Sequence, residues 1–180
     1  PLGDSRGRNT LIEGGAGTAL GCTRKGEVAG SEVLGLMQAL LDAGADRVGL
    51  ADTGGFADPA SVARLFAKAR ALLGHRLASA HFHYTRGLGL ANCLAAYDVG
   101  VRTFDASQGG LGGCPYAPGA SGNVVTEDLV FMFEAMGIAT GVDYNLLMAA
   151  REALQAGLPD EPLYGMTPLA GLPKGWQPAA

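Results

Sequence analysis

The sequence predicts an α/β protein in which parallel strands alternate with helices. Three observations carry that prediction. Apolar runs of strand length, "RVGLA" at 47–51, "LASAHFH" at 77–83 and a run at 101–105, recur every 25 to 30 residues. Segments of helical period lie between them. Polar residues, Asp52, His83 and Asp105, close the three runs, and parallel α/β folds bind ligands at the C-terminal ends of their strands.

A weaker strand is expected around 14–20, in "GAGTALGC". Ser31 is placed to cap a helix whose apolar face is Val33, Leu34, Met37, Leu40 and Leu41, and "AGAD" ends it. After the 47–51 run, Asp58 reads as a helix cap and Pro59 as the first helical residue, with the helix running to Gly74. Further helices are expected over about 87–97, from Thr126 with two acids in its first turn, and over about 143–156. Five of the nine prolines fall in 158–180. That tail cannot be helix or central strand throughout and is expected to be extended. One partial domain over 1–180, with this tail, is the expected organisation.

Composition narrows the class of partner. Lys+Arg is 13 against Asp+Glu 17, a net charge of −4 without a basic stripe, so nucleic acid is not an expected partner. No apolar run reaches membrane-spanning length, so a membrane is not an expected partner either. Cys22, Cys93 and Cys114 form no C-x-x-C pair, and an odd count without a signal peptide suits a reducing compartment. The chain opens on Pro1 rather than Met, and a partial or processed chain is the expectation.

"AHFHY", 80–84, is the most informative stretch. In a strand, His81 and His83 share a face and Phe82 takes the other. Two same-facing imidazoles can hold one metal ion, or can be structural histidines satisfied by hydrogen bonds. His75 lies in a charged loop and is expected to be exposed. Residues 107–123, "SQGGLGGCPYAPGASGN", contain six glycines and two prolines and read as a long functional loop. Its thiol, Cys114, is either a buried small apolar group or a proton donor carried on a lid, and the glycine setting favours the lid. Asn123, at its end, either caps the next helix or offers a carbonyl oxygen to a metal.

"GGLGGCPYAPGASGNVVTEDLVFMFEAMGIATGVD", with "HFHYTRGLGLAN" and "RVGLADTGG" upstream, resembles the 3-hydroxy-3-methylglutaryl-CoA lyase family of metal-dependent (β/α)8-barrel lyases and Claisen synthases. The likeness runs from about Thr18 to about Lys174. It implies the C-terminal half of a TIM barrel. It implies His81, His83 and Asn123 as ligands of a divalent cation, Mg²⁺ or Mn²⁺, with Cys114 and Asp52 as catalytic residues. It implies an acyl-CoA substrate, cleaved to acetoacetate and acetyl-CoA in leucine degradation. The implied location is cytoplasmic, or the mitochondrial matrix in a eukaryote.

Two departures from the family pattern bear on activity. Tyr84 stands where the family's His-x-His-Asp has its aspartate, and a neutral phenol cannot replace a carboxylate. The first-strand Arg-Asp pair has no counterpart in "DSRGRNTLIEGG". Weak or absent turnover by this chain alone is therefore expected. The alternatives are a non-catalytic barrel remnant that binds metal or serves assembly, and a related Claisen-type synthase. Open sheet edges make self-association the expected state.

Overall fold

The computed structural model describes residues 10–113, 119 and 121–180. They form two compact units. The first holds the described residues up to Asp105 together with Gly119 and Ser121, and the second holds Ala106–Gly113 and Gly122–Ala180.

The first unit is built on a parallel sheet in the order β1-β2-β3-β4, from β1 (Glu13–Ala16), β2 (Arg47–Asp52), β3 (Leu77–Phe82) and β4 (Thr103–Asp105). Helices α1 (Gly30–Asp42), α2 (Pro59–Leu73) and α3 (Gly89–Asp98) connect the strands. This is the alternation the sequence predicts, and the four strands are half of a (β/α)8 barrel.

The local signals vary in how well they hold. Asp58 accepts from the amides of Ala60 at 2.9 Å and Ser61 at 3.0 Å, and Ser61 returns a bond to complete a capping box. Such a cap contributes about 1 kcal/mol. Ser31, by contrast, caps nothing: α1 begins one residue earlier, at Gly30, with Ala29 before it and no side-chain cap. β1 is four residues long, and the chain turns after Ala16 instead of continuing as strand to residue 20. Cys93 is buried in α3, and His75 is exposed as expected.

Strand parity sorts the residues of this unit. Val48, Leu50, Ala80 and Phe82 face the helices and are buried with Val62, Phe66 and Ala69 of α2 and Met37 of α1. The Phe66 and Phe82 rings sit 5.9 Å apart in a tilted pair, a favoured aromatic geometry. The opposite face is polar. Its lateral rows pair Glu13 with Arg47, Gly15 with Gly49 and Ser79, and Ala51 with His81 and Asp105. Arg47 Nε lies 2.7 Å from Glu13 Oε2, and Ser79 Oγ donates to Glu13 Oε1 across β2. That reach passes over Gly49, where a Cβ would collide with Ser79 Oγ and stand 2.9 Å from Glu13 Oε1.

The second unit contains α4 (Thr126–Ala135), α5 (Tyr144–Gly157) and the short α6 (Met166–Ala170). α6 interrupts the proline-rich tail. Asp143 caps α5 through the amides of Asn145 and Leu146. The two acids at the start of α4 are not simply dipole partners. Asp128 accepts from the amides of Met166 at 2.9 Å and Thr167 at 2.7 Å, so it anchors α6. Glu127 is fully buried, accepts from the Gly109 amide and pairs with Arg151 at 2.7 Å.

Candidate active site

In the first unit the candidate residues gather at the C-terminal edge of the sheet. Asp52 is the last residue of β2, His83 follows β3 by one residue, and Asp105 ends β4. His81 pairs laterally with Asp105. The His81 and His83 rings are 5.1 Å apart between centroids and meet edge to face.

Each imidazole has a distinct environment. Burial pushes the His81 pKa down, and the neighbouring His83 adds to this, while Asp105 and Asp52 oppose it. His83 is buried, and its Nδ1 lies 3.0 Å from the carbonyl oxygen of Ser121. A carbonyl only accepts, so Nδ1 is the donor of this bond, and in the neutral ring Nε2 is then the acceptor nitrogen.

Asp52 is fully buried, and its two oxygens accept from the amides of Phe56 and Ala57, both at 2.9 Å. Burial raises its pKa; those amide bonds and the charges of His83 and Arg86 act the other way. Arg86 Nη1 donates to the carbonyls of Gly54 at 3.2 Å and Gly55 at 2.8 Å, and its guanidinium lies 4.7 Å from the Phe56 ring centroid. The 53–57 loop is thus held from two sides. Asn92 holds it at a third point, through the Ala57 carbonyl at 3.1 Å. Sequence reading found Asp52 but missed Arg86 and Asn92, because no period or spacing links them to a loop more than thirty residues upstream.

Asn123 belongs to the second unit. It does not cap α4, which begins at Thr126 after Val125 with no side-chain cap. Its Nδ2 donates to Leu111 O at 2.7 Å, and its buried Oδ1 has no hydrogen-bond partner. A buried carbonyl oxygen left unpaired is costly, and a hard cation accepts oxygen ligands of this kind. The residue before it, Gly122, has no room for a side chain, because a Cβ there would overlap the Gly110 carbonyl. Among the described residues no three His, Cys, Asp or Glu side chains cluster as a metal site on their own.

Cys114 lies outside the described residues. The other two thiols differ in kind. Burial pushes the Cys93 pKa up to about 12, whereas backbone N–H groups of Arg24 and Lys25 lower that of the half-buried Cys22. The thiolate is the nucleophile, so brief iodoacetamide treatment of the folded chain is expected to label Cys22 well before Cys93. Peptide mass spectrometry reads the order, and early label on Cys93 would contradict the packing of α3.

Parallel strands joined by helices, with polar groups at their C-terminal ends, define the ligand-binding edge of an α/β protein, as in (β/α)8 barrels and doubly wound sheets. A solved hydroxymethylglutaryl-CoA lyase from Acinetobacter baumannii, in complex with coenzyme A and 3-methylmalate, superposes with a TM-score of 0.90 at 41% identity, over 99% of this chain and 58% of that one. The family model described as HMGL-like matches residues 6–154, and the chain belongs to that family. (R)-citramalyl-CoA lyase of Chloroflexus aurantiacus is 42% identical over 86% of this chain and 49% of its own length. Hydroxymethylglutaryl-CoA lyase YngG of Bacillus subtilis is 40% identical over 84% of this chain and 51% of its own length. The chain spans about half the length of the curated relatives it matches.

Proposed function

We propose that the chain carries the cation-binding half of a lyase that cleaves a carbon–carbon bond in a hydroxyacyl-CoA, releasing acetyl-CoA. 3-Hydroxy-3-methylglutaryl-CoA is the first candidate substrate, with acetoacetate as the second product. Citramalyl-CoA is the second, because a relative of equal similarity bears that name. The observation that carries the proposal is the His81–His83 pair at the end of β3 in a chain of the HMGL-like family.

Each of the three residues carries a donor of the kind a divalent cation takes. His83 presents Nε2 because Ser121 occupies Nδ1, and a hydrogen-bonded second nitrogen orients a ligating imidazole. Asn123 offers an unpaired buried oxygen. His81, His83 and Asn123 are the proposed ligands of Mn²⁺ or Mg²⁺, the mixed nitrogen and oxygen set suiting an ion of intermediate hardness. Such an ion supplies positive charge that makes the substrate's hydroxyl easier to deprotonate. Asp52 fixes the 53–57 loop through its two amide bonds and places negative charge near His83. Cys114 is the proposed proton donor to the carbanion left at the acetyl-CoA carbon. The proposed setting is a reducing compartment and a role in leucine degradation.

The test is linkage between substrate and cation. Mn²⁺ titrated into the chain with 3-hydroxy-3-methylglutaryl-CoA or citramalyl-CoA present is expected to bind more tightly than with free coenzyme A. Acetyl-CoA release by this chain alone is expected to be very weak. No linkage with either thioester would overturn the lyase reading and leave a metal-binding or assembly role. Self-association belongs to the same proposal. β1 and β4 are the sheet's edges, and Glu13, Gly15, Arg47, Thr103 and Asp105 are exposed. Parallel strands are normally covered on both faces. Light scattering at micromolar concentration is expected to give more than the monomer mass, and a compact monomer would remove this part.

A further inference from the structure

His83 and Thr85 together grip one residue. His83 Nδ1 is 3.0 Å from the carbonyl oxygen of Ser121, and the amide of the same Ser121 donates to Thr85 Oγ1 at 3.2 Å. Two side chains from one segment thus take the donor and the acceptor of a single residue distant in sequence, much as a neighbouring strand would. Thr85 is itself fixed from behind. Gly55, at φ +62°, approaches so closely that a Cβ there would lie 2.6 Å from Thr85 Cβ and 2.7 Å from its Oγ1. Gly55 is held in turn by Arg86 through its carbonyl. The 53–57 loop, Thr85, Ser121 and His83 therefore form one continuous chain of contacts.

We infer that Thr85 is a positioning residue that sets the tautomer of His83 through the backbone of Ser121. The hydroxyl holds the Ser121 amide. That fixes the direction of the Ser121 carbonyl, and the carbonyl keeps the His83 proton on Nδ1. Free imidazole side chains favour the proton on Nε2, so the preference at His83 is reversed by its surroundings. Nε2 is left as a bare lone pair before any ligand arrives. A Thr85 that merely filled space would have no such effect, because packing does not choose between two ring nitrogens.

The inference rests on the proposed lyase reading only for what the bare Nε2 serves, and the experiment does not need a cation or turnover. Long-range ¹H–¹⁵N correlation spectra of the cation-free chain, at a pH where the imidazole is neutral, report which ring nitrogen of His83 is protonated. The native chain is expected to show the Nδ1–H form in excess. Thr85→Ser, which keeps the hydroxyl, is expected to retain it. Thr85→Val, which keeps the shape and loses the hydroxyl, is expected to shift the ratio toward Nε2–H by about fivefold, the factor that one ordinary hydrogen bond supplies. Thr85→Ala serves if the valine variant does not fold. A native chain with Nε2–H at His83 would overturn the inference, and so would a valine or alanine variant with the native ratio. A bare Nε2 in a chain that binds no Mn²⁺ would instead overturn the lyase reading and leave the latch standing.

Discussion

Arg151→Met is expected to destabilise the second unit by about 3–5 kcal/mol, the cost of leaving a buried charge without its partner. Glu127 has no exposed side-chain surface and Arg151 has 14%. The guanidinium also donates to the Tyr164 carbonyl at 2.9 Å, while the Tyr164 amide returns a bond to Gly109 O at 2.8 Å. One substitution therefore strands the carboxylate and loosens the tail. Methionine keeps most of the aliphatic bulk, so little of the effect comes from packing. Glu127→Gln combined with Arg151→Met is expected to recover at least half of the loss, because the amide oxygen still accepts from Gly109 without a charge to neutralise. Urea titrations of the native chain and the two variants give the free energies. A loss below about 1 kcal/mol for the single variant would place the pair with ordinary exposed ion pairs and sink the argument.

His81→Ala and His83→Ala are each expected to weaken Mn²⁺ binding by at least a hundredfold, since losing an outer partner of a metal ligand already costs 10–100-fold. Neither change should unfold the chain, because His81 is half-buried and strand alternation turns both imidazoles to the face opposite Phe82 and its Phe66 partner. Isothermal titration with circular dichroism on the same samples separates lost binding from lost structure. Native affinity in both variants would take the histidine pair out of the proposed site.

Much of the first unit could be read in the sequence because its signals are local. The apolar runs of β2 and β3 and the Asp58–Pro59 start of α2 each depend on residues within a turn or a strand of one another. Ser31 misled because Ser is a good cap wherever the chain offers an extended residue, and here that residue is Ala29. The Glu127–Arg151 pair and the grip on Ser121 were invisible for a different reason. Their partners stand 24 to 38 positions apart and carry no period. Asn123 is intermediate: its side chain could be named from sequence, but only the structure shows that it does not cap α4 and that its Oδ1 is left unpaired.

The bond that passes over Gly49 works as a combination lock for the alignment of three strands. Glu13 and Ser79 can meet only if the residue between them has nothing on its α-carbon. Sliding β2 by two positions, the smallest slip that keeps its apolar side turned toward the helices, would bring Arg47 or Ala51 under that meeting point. Either would drive a methylene or a methyl group into it. A sheet of short strands, with only three paired positions between β3 and β4, has few other ways to reject a misaligned neighbour. The missing side chain therefore carries information: it makes one alignment of β1, β2 and β3 passable and closes the nearest alternatives.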